Sequence, residues 1–136
     1  MADDGELDGK TDPARAFGFY KQAAQHGQAA AETAAGLAYY TGRGVAQDLT
    51  AARTWFTLAA RQRDADAMFD LGVMLAKGEG GEADPVLAYA WFTLAGRMGV
   101  ANGATAAAEI AARLTPDQTH KADALLNGGA AQTGFR

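Results

Sequence analysis

The sequence predicts an all-α protein built as a stack of small helical units, with about seven helices. Three observations carry this. Trp55-Phe56-Thr57-Leu58-Ala59 recurs as Trp91-Phe92-Thr93-Leu94-Ala95 at a shift of 36 residues. Such a fixed period marks stacked repeat units. Small and apolar residues fall at helical spacing around the motif. Alanine is also abundant in these stretches, and it forms helix at no cost in side-chain entropy.

The same shift aligns much more of the chain. Ala31, Gly36, Gly42, Gly44, Asp48, Ala52 and Arg61 match Ala67, Gly72, Gly78, Gly80, Asp84, Ala88 and Arg97. Run backwards, it takes Asp48, Ala52, Trp55, Phe56, Ala59 and Ala60 to Asp12, Ala16, Phe19, Tyr20, Ala23 and Ala24. The chain therefore opens with the second half of a repeat. Run forwards, the helical pattern persists but the glycine loop is lost, as terminal capping units lead one to expect.

Each unit reads as two helices. In the middle unit, Ala67, Leu71, Met74 and Leu75 space a first helix. The run Gly78-Glu79-Gly80-Gly81 ends it, because glycine reaches left-handed conformations cheaply. Asp84 is a natural N-cap and Pro85 a natural first helical residue. Ala88, Trp91, Phe92 and Ala95 then stripe the second helix. Asp12-Pro13 repeats this start signal. Thr115-Pro116 with Gln118 forms a capping box for the last helix, which Asn127-Gly128-Gly129 closes. The expected helices span 13–26, 29–41, 48–62, 65–77, 84–98, 103–114 and 116–127. The expected organisation is one domain over 12–127, made of a half repeat (12–28), repeats 29–64 and 65–100, and capping helices over 101–127. An acidic tail (1–11) and a Gly-rich tail (128–136) flank it, both expected to be flexible.

Composition removes several classes of function. Four acids, Asp3, Asp4, Glu6 and Asp8, lie in the first eight residues, and the remaining chain carries twelve acids and twelve basic residues. This neutral body has no basic patch, so nucleic acid is not an expected partner. Cysteine is absent, which excludes disulfides and thiolate sites. Serine is absent too, which excludes a serine nucleophile. No apolar run approaches the roughly 20 residues that span a bilayer, so no direct membrane insertion is expected. Met1 to Gly9 lacks the features of a signal peptide, so the sequence as it stands reads as cytoplasmic. An Ala-Asp-Asp start after Met1 also fits a mature secreted N-terminus, which leaves the periplasm open.

His26 falls at a helix end, and neither His26 nor His120 has metal-ligand spacing around it. Gly78-Glu79-Gly80-Gly81-Glu82 lacks the lysine and preceding strand of a phosphate loop, and Gly42-Arg43-Gly44 repeats its position. It reads as a structural turn. Trp55 and Trp91 read as repeat core. The acid pairs Asp64/Asp66 and Glu79/Glu82 read as solvated turns. No catalytic residue, cofactor or metal site is expected.

The pattern resembles Sel1-like repeats, relatives of the tetratricopeptide repeat. The first full repeat carries the pattern at Ala31, Gly36, Tyr39, Gly42, Gly44, Val45, Asp48, Ala52, Trp55, Phe56, Ala59 and Ala60. The second carries it at Ala67, Leu71, Gly72, Gly78, Gly80, Asp84, Ala88, Trp91, Phe92, Ala95 and Gly99. It departs at Leu75 (a tyrosine in the pattern), Gly81 (a valine), Arg63 (the closing glycine) and Ala35 (a leucine). The resemblance implies a short α-solenoid of Sel1-like, tetratricopeptide-like helical hairpins with a C-terminal capping helix. It further implies a non-catalytic adaptor, scaffold or accessory subunit, often at bacterial envelopes or in membrane-associated complexes. Fold-level analogy sets an expectation and no more.

In tetratricopeptide-like stacks the first helix of each unit lines the concave face. With Leu71, Gly72 and Leu75 facing inward, the concave positions become Phe69, Val73 and Lys77. Their counterparts are Thr33, Leu37 and Tyr40 or Thr41 in the preceding unit, and Thr105, Glu109 and Arg113 in the following one. An apolar centre with a polar edge is common interface anatomy. Two arrangements fit the sequence: an open face, or one covered by the closing helices. The expected function is protein–protein interaction, first as an accessory or scaffold subunit of a larger bacterial complex. Two alternatives stand beside it: a reversible peptide-binding adaptor, and a periplasmic binder of small molecules or cell-wall fragments.

Overall fold

The structure is a computed structural model that describes residues 12–127, so the two expected tails lie outside the described residues. Seven helices follow one another, with no strand among the described residues: α1 (Pro13–Gln25), α2 (Ala29–Thr41), α3 (Leu49–Arg61), α4 (Ala65–Lys77), α5 (Pro85–Arg97), α6 (Ala101–Ala111) and α7 (Pro116–Asn127). The period of 36 is carried into three dimensions. The first helices α2, α4 and α6 start 36 residues apart, as do the second helices α1, α3 and α5.

Local chemistry sets the boundaries. Asp12, Asp48, Asp64 and Asp84 each cap a helix, their carboxylates accepting from backbone N–H groups of the first turn. Such a cap contributes about 1 kcal/mol. The helices expected from 48 and 84 accordingly begin one residue later. Gly42 and Gly78 end α2 and α4 in the left-handed conformation, at φ 73° and 74°. Thr115 and Gln118 form the expected reciprocal box: the Thr115 N–H donates to Gln118 Oε1 and the Gln118 N–H to Thr115 Oγ1. One element differs more. Helix α6 runs 101–111 rather than 103–114. Gly103 lies inside the helix, where it meets Gly96 of α5 so closely that a Cβ would stand 2.5 Å from the Gly96 nitrogen. Here glycine serves a helix crossing, not a break.

Packing follows the repeat. Helices α2 and α4 each lie between the second helix of their own unit and that of the unit before: α2 contacts α1 and α3, and α4 contacts α3 and α5, while α6 packs on α5. The main core runs from Ala52 and Phe56 through Met68, Leu71, Met74 and Leu75 to Trp91, Phe92 and Ala107. Trp91 is buried as expected, but Trp55 is only half-buried, against a smaller cluster of Ala24, Ala31 and Ala35. The fully buried aromatic of that repeat is Phe56. The closing helix α7 packs on α5 and makes no extensive contact with α2 or α4.

Candidate interaction face

The positions expected on the face lie on α2, α4 and α6, except Arg113, which falls in the turn after α6 because that helix ends at Ala111 and not at 114. Leu37 is 49% exposed, and Lys77, Thr105, Glu109 and Arg113 are exposed as well. Thr33, Tyr40, Phe69 and Val73 are half-buried. Thr33 turns its hydroxyl to the Ala29 carbonyl of its own helix. Tyr40 crosses to the next unit, its hydroxyl donating to Glu79 Oε1 at 2.8 Å. Phe69 lies against Phe92, with ring centroids 5.3 Å apart, so part of this anchor belongs to the core.

Beside this row, α1 and α2 enclose an apolar groove of about 690 Å³, lined among others by Ala16, Phe17, Tyr20, Leu37 and Arg43. On α1, Tyr20 of this lining is 43% exposed and the adjacent Phe19 63% exposed. Phe17 is held by an edge-on contact with Tyr39, centroids 5.1 Å apart.

Three charged residues outside the sequence motifs shape the local electrostatics. Glu32 is buried, at 4% exposure. Gln62 Nε2 donates to its Oε1 at 2.7 Å and also to the Gly27 carbonyl, tying α2 to the end of α3. Burial pushes the Glu32 carboxyl above the usual carboxylate range, helped by the charge of Asp64 and opposed by the Gln62 hydrogen bond. Asp70 on α4 is pushed up to about 6, mainly by burial and then by the charges of Asp66 and Asp64. Arg53 on α3 reaches the turn after α4, donating to the carbonyls of Glu79 and Glu82 at 3.1 and 2.8 Å. The repeat held a signal for Glu32. Its counterpart is Met68, so a buried position was indicated.

The site chemistry is that of a turn and a surface. The glycine run after α4 is clamped by Arg53, and its Glu79 carboxylate is taken by Tyr40. His26 ends α1 with Nδ1 2.9 Å from the Gln22 carbonyl oxygen. Among the described residues no group of three or more His, Asp or Glu is placed to hold a metal ion. No described helix is long and apolar enough to cross a membrane.

These features define an α-helical repeat protein whose hairpins recur every 36 residues. The Sel1 repeat family model matches residues 1–28, 29–64 and 65–100, and the chain belongs to the Sel1 repeat family. Proteins of this family are generally protein-interaction modules, on a fold that is typically non-catalytic. The structure is similar to that of a protective antigen present in uropathogenic Escherichia coli strains, which displays an SLR fold: TM-score 0.83, 29% identity, covering 88% of this chain and 26% of that one. It is also similar to a Sel1 repeat protein from Oxalobacter formigenes, with TM-score 0.68 and 28% identity over 74% of this chain and 41% of the other. The chain thus spans 26% and 41% of the length of these two proteins. No match is found among curated proteins.

Proposed function

We propose that the chain is an accessory or scaffold subunit that docks on a larger bacterial assembly, using the face of α2, α4 and α6. The observation that carries this reading is the placement of α7 on α5, away from α2 and α4. A half-exposed leucine, Leu37, and the part-exposed Val73 then lie on the same row of first helices as the exposed polar residues Lys77, Thr105 and Glu109, with Arg113 in the turn after α6. An apolar centre within a polar rim suits a protein partner. With only α2, α4 and α6 the face is short, which favours permanent docking over capture of long peptides.

The test is quantitative mass spectrometry of what co-purifies with the tagged protein at native level, after low-salt and high-salt washes. A fixed-ratio set of subunits that survives high salt is expected. Partners lost at modest salt would replace this reading with a reversible adaptor. A retained small molecule or glycan with no protein partner would replace it with a periplasmic binder.

A further inference from the structure

The middle unit carries three acids that the fold does not require. Asp66, Asp70 and Glu79 stand where the preceding unit has Ala30, Ala34 and Arg43, and that unit builds the same helix and the same turn. Alanine is the better helix former, so the exchange gains nothing locally. Asp70 is the least favourable of the three. It is half-buried on α4, and among the described residues its carboxylate has no hydrogen bond and no ion pair. The charges that reach it, those of Asp66 and Asp64, have its own sign. Lys77 on the same helix is exposed and two turns on, roughly 10 Å along the axis.

Asp70 belongs to the docking face. Helical spacing sets Asp66, Asp70, Val73 and Lys77 along one side of α4. On α2, Tyr40 registers the same acids: its hydrogen bond to Glu79, burial, and then the charges of Glu79 and Asp70 hold its phenol above the ordinary value. The half-exposed Leu37 lies one turn before Tyr40 on that helix. Acids and apolar side chains therefore meet over α2 and α4. A half-buried carboxylate without a counter-charge is unfavourable until one arrives.

We propose that the protein docking on this face presents a basic side chain, an arginine or a lysine flanked by apolar residues. Its cation sits on Asp70, and its apolar neighbours lie against Leu37 and Val73. This rests on the function proposed for the face and names the chemistry of the partner. A charge-assisted hydrogen bond in a partly desolvated groove is stronger than one in water. An acidic segment would instead add like charge to Asp66, Asp70 and Glu79, so the same acids select against a wrong partner. What Asp70 costs the free chain is offset in the complex.

Fluorescence anisotropy with short labelled peptides on the full chain tests the chemistry, in about 0.15 M salt to screen exposed charges. The peptides combine leucine with arginine, with glutamine or with glutamate. The arginine peptide is expected to bind at least about tenfold more tightly than the glutamine peptide, and the glutamate peptide most weakly. Asp70→Asn is expected to remove the preference for arginine. Urea unfolding should show this variant at least as stable as wild type, so the loss is not one of folding. Asp123→Asn makes the same change of charge at an exposed position on α7 and should leave the preference intact. Equal binding of the three peptides would overturn the proposal, as would a preference for arginine that survives Asp70→Asn. Co-purification separates it from the reading beneath it. Asp70→Lys is expected to lose the partners that wild type retains. Partners held in the same fixed ratio by both would overturn the basic contact and leave the docking function standing. A wild-type chain that brings down no protein would remove the docking function itself, and the basic contact with it.

Discussion

The Phe92 ring packs so close to α4 that a Cβ at Gly72 would stand 2.7 Å from its Cε1 and 2.8 Å from its Cδ1. Gly36 and Phe56 make the same contact at the same distances one repeat earlier. The glycine is therefore kept for close approach between the two helices of a hairpin. Removing either ring leaves a cavity at the centre of the unit. Phe56→Ala and Phe92→Ala are each expected to cost about 3–5 kcal/mol. Gly72→Ala is expected to cost about 1–3 kcal/mol through overpacking. Urea unfolding measures all three. Trp91→Ala belongs with the ring deletions, and Trp55→Ala should cost less because Trp55 is only half-buried.

Arg63 occupies the left-handed region at φ 70°, where its repeat counterparts Gly27 and Gly99 stand at 83° and 101°. A side chain is strained there, and glycine is not, although glycine adds entropy to the unfolded chain. Arg63→Gly is expected to raise stability by about 0.5–1 kcal/mol net. The check is the urea midpoint with an unchanged slope. A lower midpoint would show that the Arg63 side chain contributes a contact worth more than the strain.

Arg53 and Gly81 depart from the repeat together. A Cβ at Gly81 would meet Arg53 Nη1 at 2.8 Å, so the glycine leaves room for the guanidinium that clamps the turn. In the preceding unit the corresponding pair is Phe17 and Val45. Gly81→Val alone should destabilise, and far less so beside Arg53→Ala. A double-mutant cycle is expected to give a coupling on the order of 1 kcal/mol. Additive effects would separate the two residues.

Asp70 makes stability depend on pH. Its folded pKa, about 6, lies above the ordinary value of 3.8. The native state therefore holds the proton more tightly than the unfolded chain does. This contribution is complete below the unfolded pKa and is lost as pH rises through about 6. Wild type should lose stability across that window. Asp70→Asn, which stays neutral, should be more stable than wild type above it and show a shallower slope. Glu32, shifted in the same direction, leaves a residual slope. Unfolding curves on both sides of the window provide the comparison. Equal pH dependence in wild type and variant would remove Asp70 from this role.

The fold was legible because the repeat writes each structural demand twice. Asp48 and Asp84 announce the caps, Gly42 and Gly78 the helix ends, and the two Trp-Phe motifs the second helices. The errors fell where a single copy had to be judged. Gly103 looked like a helix boundary because glycine disfavours helix, and nothing local reveals the Gly96 backbone against it. Trp55 inherited burial from Trp91, although each packs against a different neighbour. The candidate face was legible as a row of positions, but not in its orientation. Phe69 turning to Phe92 and Tyr40 reaching Glu79 depend on contacts across 23 and 39 residues, which helical spacing does not encode. Buried Glu32 could be found from its counterpart Met68, whereas Asp70, opposite Ala34 and Ala106, had no such signal.

The face of α2, α4 and α6 is proposed to meet a protein. Photo-crosslinking in cells tests it most directly, with a benzophenone amino acid placed singly at Leu37, Lys77 or Thr105, and at Thr54 on α3 as the outer control. A discrete adduct with the same protein partner is expected from the three face positions and none from Thr54. Adducts confined to Thr54, or no protein adduct from any face position in cells where the tagged chain still co-purifies with partners, would contradict it.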